Sequence, residues 1–88
     1  MKVESDKDFK ELRNQFSVWR RRFPMFKHDV KRIEHIIEKH IQNHSIALMH
    51  HRQTKQRRYL EQAQQELDEI NRVISTVEKI ELMAMLSR

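Results

Sequence analysis

The histidines of this chain are its first candidate functional residues. All six lie between residues 28 and 51, and His40, His44 and His51 share one helical face at spacings of four and seven residues. Two histidines four residues apart can hold a metal ion, as in the zinc-binding His-Glu-x-x-His pattern. No glutamate stands between His40 and His44, and His51 lies about two turns beyond His44. That distance is too great for the three side chains to share one ion within a single chain.

We therefore expect no metal and no other cofactor, and we interpret the histidines as polar layers of a helical seam or as surface groups. A pH switch is the alternative role. The reference pKa of histidine is about 6.5, so histidines stacked in a seam would gain charge on acidification and repel one another. An assembly held by such a seam would lose stability below neutral pH.

Two basic clusters offer a second kind of chemistry, the binding of phosphate. Residues 1–58 carry 15 Lys and Arg against 7 Asp and Glu, a net charge of +8, whereas residues 59–88 carry 3 against 6, a net charge of −3. Nucleic acid or an anionic surface is one partner that such clusters predict. We favour the alternative, a solvated helix face or ionic contacts with acidic positions of another helix. The clusters comprise Arg20, Arg21 and Arg22, and Arg52, Lys55, Arg57 and Arg58.

Catalysis has little support in the sequence. The chain has no cysteine nucleophile and, without glycine, no Gly-rich phosphate loop. Its second half is acidic at helical spacings typical of a solvated helix face. We therefore expect a protein without enzymatic activity. The carboxylates concerned are Glu61, Glu66, Asp68, Glu69, Glu78 and Glu81.

The composition indicates which kind of secondary structure carries these side chains. Glycine is absent and Pro24 is the only proline, whereas average usage would supply roughly six glycines and four prolines. Strand-rich and Rossmann-type folds, which use these residues in turns and phosphate loops, are thereby disfavoured, and an all-α fold is predicted. Without cysteine, disulfides and thiolate zinc sites are impossible. No apolar run approaches the roughly 20 residues that cross a bilayer.

The expected organisation is a single helical domain over residues 1–88. We expect an intracellular protein, cytoplasmic or nuclear, since the first 20 residues fit neither a signal peptide nor a transit peptide. A first helix is predicted over about 6–22, with Ser5 as its N-cap and a turn at 23–25, because Phe23 precedes Pro24 and is restricted to non-helical backbone angles. Its apolar face comprises Phe9, Leu12, Phe16, Trp19 and Phe23.

A second apolar stripe runs from residue 26 to residue 86, interrupted by a polar gap over about 50–57. We favour one long coiled-coil-forming helix over about 26–86, because the gap has no Gly, Asn or Pro to shape a turn while Arg, Gln and Lys are good helix formers. The alternative is an antiparallel three-helix bundle that turns near 50–57. The stripe comprises Val30, Ile33, Ile37 and Ile41, and then Leu60, Leu67, Ile70, Ile74, Val77 and Ile80.

A lone rod of this kind cannot bury its stripe, so the favoured function is association. We expect a helical scaffold or oligomerisation module whose partners are protein helices, as a homo-oligomer or as a subunit of a larger complex. A charge at Ile70 or Ile74 would then dissociate the assembly, and the nearly all-apolar last turns, 82–86, would be covered by a partner. Binding of nucleic acid or an anionic surface through residues 20–22 and 52–58 is the alternative function.

Overall fold

The computed structural model describes residues 1–86 and confirms the all-α fold. It contains helices α1 (Phe9–Arg22), α2 (Lys27–Thr54) and α3 (Arg57–Leu86), with 3₁₀ turns at Asp6–Asp8 and Pro24–Phe26. Each helix runs antiparallel to the next, and together they form a bundle that measures 52 × 18 × 18 Å. Within the described residues, none of the helices is both long and apolar enough to cross a membrane.

Local sequence signals account for the limits of α1. The hydroxyl of Ser5 accepts a hydrogen bond from the N–H of Lys7 at 3.3 Å, which caps the 3₁₀ turn that leads into the helix. At the other end Phe23 leaves the helical region, with φ −122° and ψ 67°, as the residue before Pro24 must. Its N–H still bonds the carbonyl of Trp19 at 2.9 Å, so α1 closes directly before the turn into α2.

The preference for one unbroken helix over 26–86 was wrong. The chain reverses at Lys55 and Gln56, and α3 returns along α2, which is the three-helix alternative. Among residues 1–86, Lys55 is the one non-glycine residue with a positive φ, at 60°. A left-handed residue with a Cβ atom costs about 1–2 kcal/mol, and the apolar packing of α3 against α2 offsets that penalty.

Glycine usually occupies the left-handed position of such a turn. In its absence, hydrogen bonds from neighbouring polar groups stabilise the turn. The N–H of Lys55 donates to the carbonyl of His51 at 2.7 Å and closes α2. The hydroxyl of Thr54 donates to the carbonyl of His50 at 2.9 Å and accepts the N–H of Gln56 at 3.3 Å. These bonds satisfy backbone groups that a helix end would otherwise leave unpaired.

Replacing Lys55 with glycine is expected to raise the free energy of unfolding by about 1 kcal/mol, because glycine adopts the left-handed region without the Cβ penalty. Chemical denaturation of the two proteins measures the change. Lys39→Gly is the matched control, since Lys39 is exposed in the interior of α2, where glycine costs about 1 kcal/mol. A loss of stability in both variants would contradict a left-handed Lys55.

The core lies where α1 fills the groove between α2 and α3. The apolar face of α1 is buried there, and Trp19 and Phe16 meet edge to face at 4.9 Å. Residues before α1 add to it: Val3 is 1% exposed, and its N–H and carbonyl pair with the side-chain amide of Asn71 on α3 at 2.7 and 2.8 Å. The buried core comprises Val3, Phe9, Leu12, Phe16, Trp19, Val30, Ile37, Ile41, Leu67, Ile70 and Ile74.

The bundle has two different ends. At one end the α1–α2 turn meets the last turns of α3, and we call this the open end: Met25, Phe26 and residues 80–86. At the other, α1 begins level with His44, where the ring of Phe9 lies edge-on at 5.4 Å. The hairpin of α2 and α3 therefore projects beyond α1 and finishes in a basic tip, residues 50–59.

Candidate functional site

The histidines are distributed over separate contacts. His40 lies between α2 and α3, with Nδ1 2.5 Å from Oε2 of Glu66. His44 is buried against Phe9, and His51 is half-buried nearer the tip. Within residues 1–86 the structure brings together no group of three or more His, Cys, Asp or Glu side chains that could hold a metal ion.

His44 is the buried polar residue of the core. Its imidazole is 4% exposed, and Nδ1 has no hydrogen-bond partner within the described chain. Burial lowers the pKa of His44, since desolvation disfavours the charged imidazolium, while the negative charges of Asp6 and Glu66 act in the opposite direction. The neutral form therefore belongs to the folded state.

The fold should lose stability as the pH falls below about 6.5, because the unfolded chain then binds a proton at His44 that the folded chain, with its lowered pKa, does not. The loss ends once the pH is below the folded pKa, and its slope is at most about 1.4 kcal/mol per pH unit. Thermal unfolding at pH 8 and pH 5.5 measures it. His44→Leu should flatten the profile and the exposed-site control His35→Gln should not; identical profiles in all three proteins would contradict the assignment.

The first basic cluster, residues 20–22, serves the fold. Arg20 forms an ion pair with Glu34 on α2, and Arg22 forms one with Glu81 on α3. The same Glu81 carboxylate accepts the indole N–H of Trp19 at 2.8 Å. Cations in the last turn of a helix are also favoured by the helix dipole. Structural contacts therefore account for two of the three arginines, and the third, Arg21, is exposed.

A further ion pair joins α1 to α2. Arg13 donates from Nε and Nη2 to the two carboxylate oxygens of Glu38, at 2.7 and 3.1 Å. These hydrogen bonds lower the pKa of Glu38. The acidic side chains that α1 needs as partners thus come from both of the other helices.

The second basic cluster, at the tip, has few such partners. Its side chains are exposed, and the sequence holds no Asp or Glu between Glu38 and Glu61. Arg57 lies 3.7 Å from Glu61 but is 89% exposed. Arg58 lies over the ring of Tyr59 at 4.8 Å and donates to its hydroxyl at 2.9 Å. The two clusters therefore differ in environment, although their sequences are similar.

The open end carries an apolar groove of about 320 Å³. Its floor is formed by Trp19, Val30 and Ile33, and its rim by Phe26 and Ile80, so side chains from all three helices and the turn contribute. Carboxylates are present at its edge. The remaining lining residues are Phe23, Asp29, Val77, Glu81 and Ala84.

Exposed apolar side chains adjoin this groove. They lie on the α1–α2 turn and on the last two turns of α3. Contiguous patches of this kind are uncommon on monomers and mark interaction sites. The exposed fractions are 90% for Met25, 52% for Phe26, 55% for Ile80, 57% for Leu82, 67% for Met83, 61% for Met85 and 77% for Leu86.

Most of the predicted interface residues are buried within one chain rather than between chains. Leu60 and Ile80 differ from the rest, at 44% and 55% exposed. Three of the predicted interface residues are partly buried: Phe23, Ile33 and Val77. Fully buried are Phe9, Leu12, Phe16, Trp19, Val30, Ile37, Ile41, Leu67, Ile70 and Ile74.

The groove itself was missed by sequence reasoning. The apolar last turns, residues 82–86, were visible in the sequence, but Phe26 and Ile33 become their neighbours only when α3 folds back along α2. Comparison with known proteins finds no family model that matches the chain, and no curated protein or solved structure that resembles it significantly.

Proposed function

We propose that this chain is a non-enzymatic helical module that associates with a second copy of itself through the open end of its bundle. The observation that carries the proposal is the set of exposed apolar side chains on the last turns of α3, at the end of the bundle that also holds the apolar groove. Leaving that surface in water is unfavourable by about 25 cal/mol for each Å² of apolar area. A partner that covers it is therefore stabilised by the same effect that buries the core.

The shape of the open end favours a second copy as the partner. A symmetric dimer needs a surface that is complementary to itself, with each protrusion matched by a recess on the same face. At the open end Leu82 and Leu86 protrude one turn apart from the side of α3 that faces away from the groove, whose α3 lining includes Ile80 and Ala84. A twofold axis beside that side of α3 would interdigitate the leucines of one copy with those of the other.

The dimensions of the bundle favour a side-by-side contact between the two copies. A stable interface buries about 800 Å² on each partner, and the bundle is only 18 Å across. An end-on contact would be smaller than that. The last turns of α3 should therefore overlap side by side with those of the second copy, so that Leu82 and Leu86 are covered.

Light scattering coupled to size-exclusion chromatography, run as a dilution series, tests the proposal. We expect a mass of twice the 10.9 kDa chain at high concentration that falls toward one chain on dilution. A mass of one chain at every concentration would reject self-association. A larger complex with a different protein at the same residues would reject the second copy as the partner.

A further inference from the structure

We propose that the basic tip of the α2–α3 hairpin binds the phosphodiester backbone of nucleic acid. The tip lies at the end of the bundle opposite the open end, so this activity does not depend on self-association. Its cationic side chains are all exposed, and they surround the turn from both helices. They are Arg52 on α2, Lys55 at the turn, and Arg57 and Arg58 on α3.

The positive charge of the tip is isolated from acidic side chains in the sequence. Over residues 39–60 the chain has five Lys and Arg and no Asp or Glu. On α1, by contrast, three arginines pair with acids of other helices, as Arg20 with Glu34 and Arg13 with Glu38. Within residues 1–86 no ion pair joins a tip cation to an acidic side chain of another helix, because α1 begins level with His44 and does not extend this far. The tip therefore keeps a positive potential that an anion would lower.

The tip arginines also oppose the stability of their own helix. Arg57 and Arg58 occupy the first turn of α3, next to the positive end of the helix dipole, where acidic residues are favoured. The first turns of α1 and α2 contain Glu11 and Asp29, whereas that of α3 contains no acid. Local preferences of this kind are typically violated where function requires it. A bound polyanion would relieve both this conflict and the repulsion among the four cations.

The residues around these cations favour nucleic acid over a membrane. A helix that binds lipid inserts apolar side chains between the headgroups, but residues 50–58 contain none. The ring of Tyr59 is occupied by Arg58 on one side and by His50, edge-on at 5.1 Å. Phosphate oxygens need only the exposed cations, and contacts to phosphate carry no sequence information. We therefore expect binding that is independent of base sequence.

If each of the four tip cations contacts one phosphate, the salt dependence of the binding affinity can be predicted. The slope of log affinity against log salt should be about −3.6 for a duplex, at about −0.9 for each phosphate neutralised. Affinity should accordingly fall about 150-fold between about 50 and 200 mM salt. Fluorescence anisotropy of a short labelled DNA duplex of random sequence, titrated with the full chain, measures both values.

The test compares two double variants that remove the same charge from different places. R57Q with R58Q should halve the salt slope to about −1.8 and leave the resistance to denaturant equal or higher, since the repulsion at the tip is reduced. K31Q with R32Q is the control, because Lys31 and Arg32 are exposed on α2 near the open end. The control should keep the slope and the affinity of the unmodified chain.

The other outcomes would overturn the proposal. Equal losses in the two double variants would mean that net charge, and not the tip, attracts the duplex. Binding that is absent, or that does not change with salt, would reject a phosphate site. Tighter binding to phosphatidylserine vesicles than to the duplex, lost in R57Q with R58Q, would assign the tip to a membrane instead. None of these results affects the dimer of the open end, which is measured by mass.

Discussion

Ile70→Asp is expected to unfold the chain. Ile70 is completely buried between the three helices, as is Ile74 one turn later. Truncating a buried isoleucine costs about 2–5 kcal/mol, and an unpaired buried carboxylate adds several kcal/mol more. Small domains have about 5–15 kcal/mol of stability in total, so the loss is comparable with the whole. Circular dichroism should show a low helical signal and no cooperative thermal transition.

The result separates two views of this residue. If Ile70 lay in a seam between chains, its replacement would leave a folded single chain of lower mass. In the structure it lies inside one chain, so folding itself should be lost. Ile46→Asp is the control, since Ile46 is on α2 but 45% exposed, and it should keep both helicity and cooperativity. A folded, helical, monomeric Ile70→Asp protein would contradict the bundle.

Replacing Leu82 and Leu86 with lysine is expected to dissociate the proposed dimer while the bundle stays folded. The two side chains are 57% and 77% exposed, so the core does not depend on them. Lysine is chosen because cations are favoured in the last turns of a helix. Each buried leucine contributes about 1.5–3 kcal/mol and occurs twice in a symmetric dimer. The dissociation constant should rise at least about 100-fold, at tenfold for each 1.4 kcal/mol.

Light scattering and thermal unfolding of the same samples measure the two effects. Ile46→Lys with Met49→Lys is the matched control, because these side chains are 45% and 47% exposed and lie away from the open end. The control should keep the mass of the unmodified chain. An undiminished dimer in the leucine variant would place the contact elsewhere on the bundle.

The two proposed sites occupy opposite ends of a bundle 52 Å long. Self-association at the open end leaves both tips pointing outward, one at each end of the dimer. Such a dimer would present two basic tips to one polyanion, and the second contact would then be intramolecular, which raises the apparent affinity. The leucine variant should therefore bind a long duplex more weakly than the unmodified chain, while its affinity for a duplex that spans one tip stays the same.

The helical class of the fold followed from the chain itself. The absence of glycine and the single proline disfavoured folds that need tight turns, so helices were predicted. The position of Phe23 before Pro24 predicted the end of α1. The apolar spacing of Phe9, Phe16 and Trp19 identified the buried face of that helix. These features depend on residues close together in the sequence, where backbone sterics and helical periodicity decide the outcome.

The chain reversal at Lys55 could not be predicted from the local sequence. Every residue of the polar gap is compatible with helix, and a single left-handed residue is unfavourable by itself. The burial of Ile70 and Ile74 against α1 and α2 offsets the free-energy cost of the turn. This stabilisation depends on contacts between residues that are distant in the sequence. The same folding gave two similar arginine clusters opposite surroundings: Glu34 and Glu81 pair with Arg20 and Arg22, whereas over residues 1–86 no ion pair joins the tip to an acid of another helix. Local sequence therefore determined the helices, and the long-range packing determined which of their charged and apolar surfaces remain available to a partner.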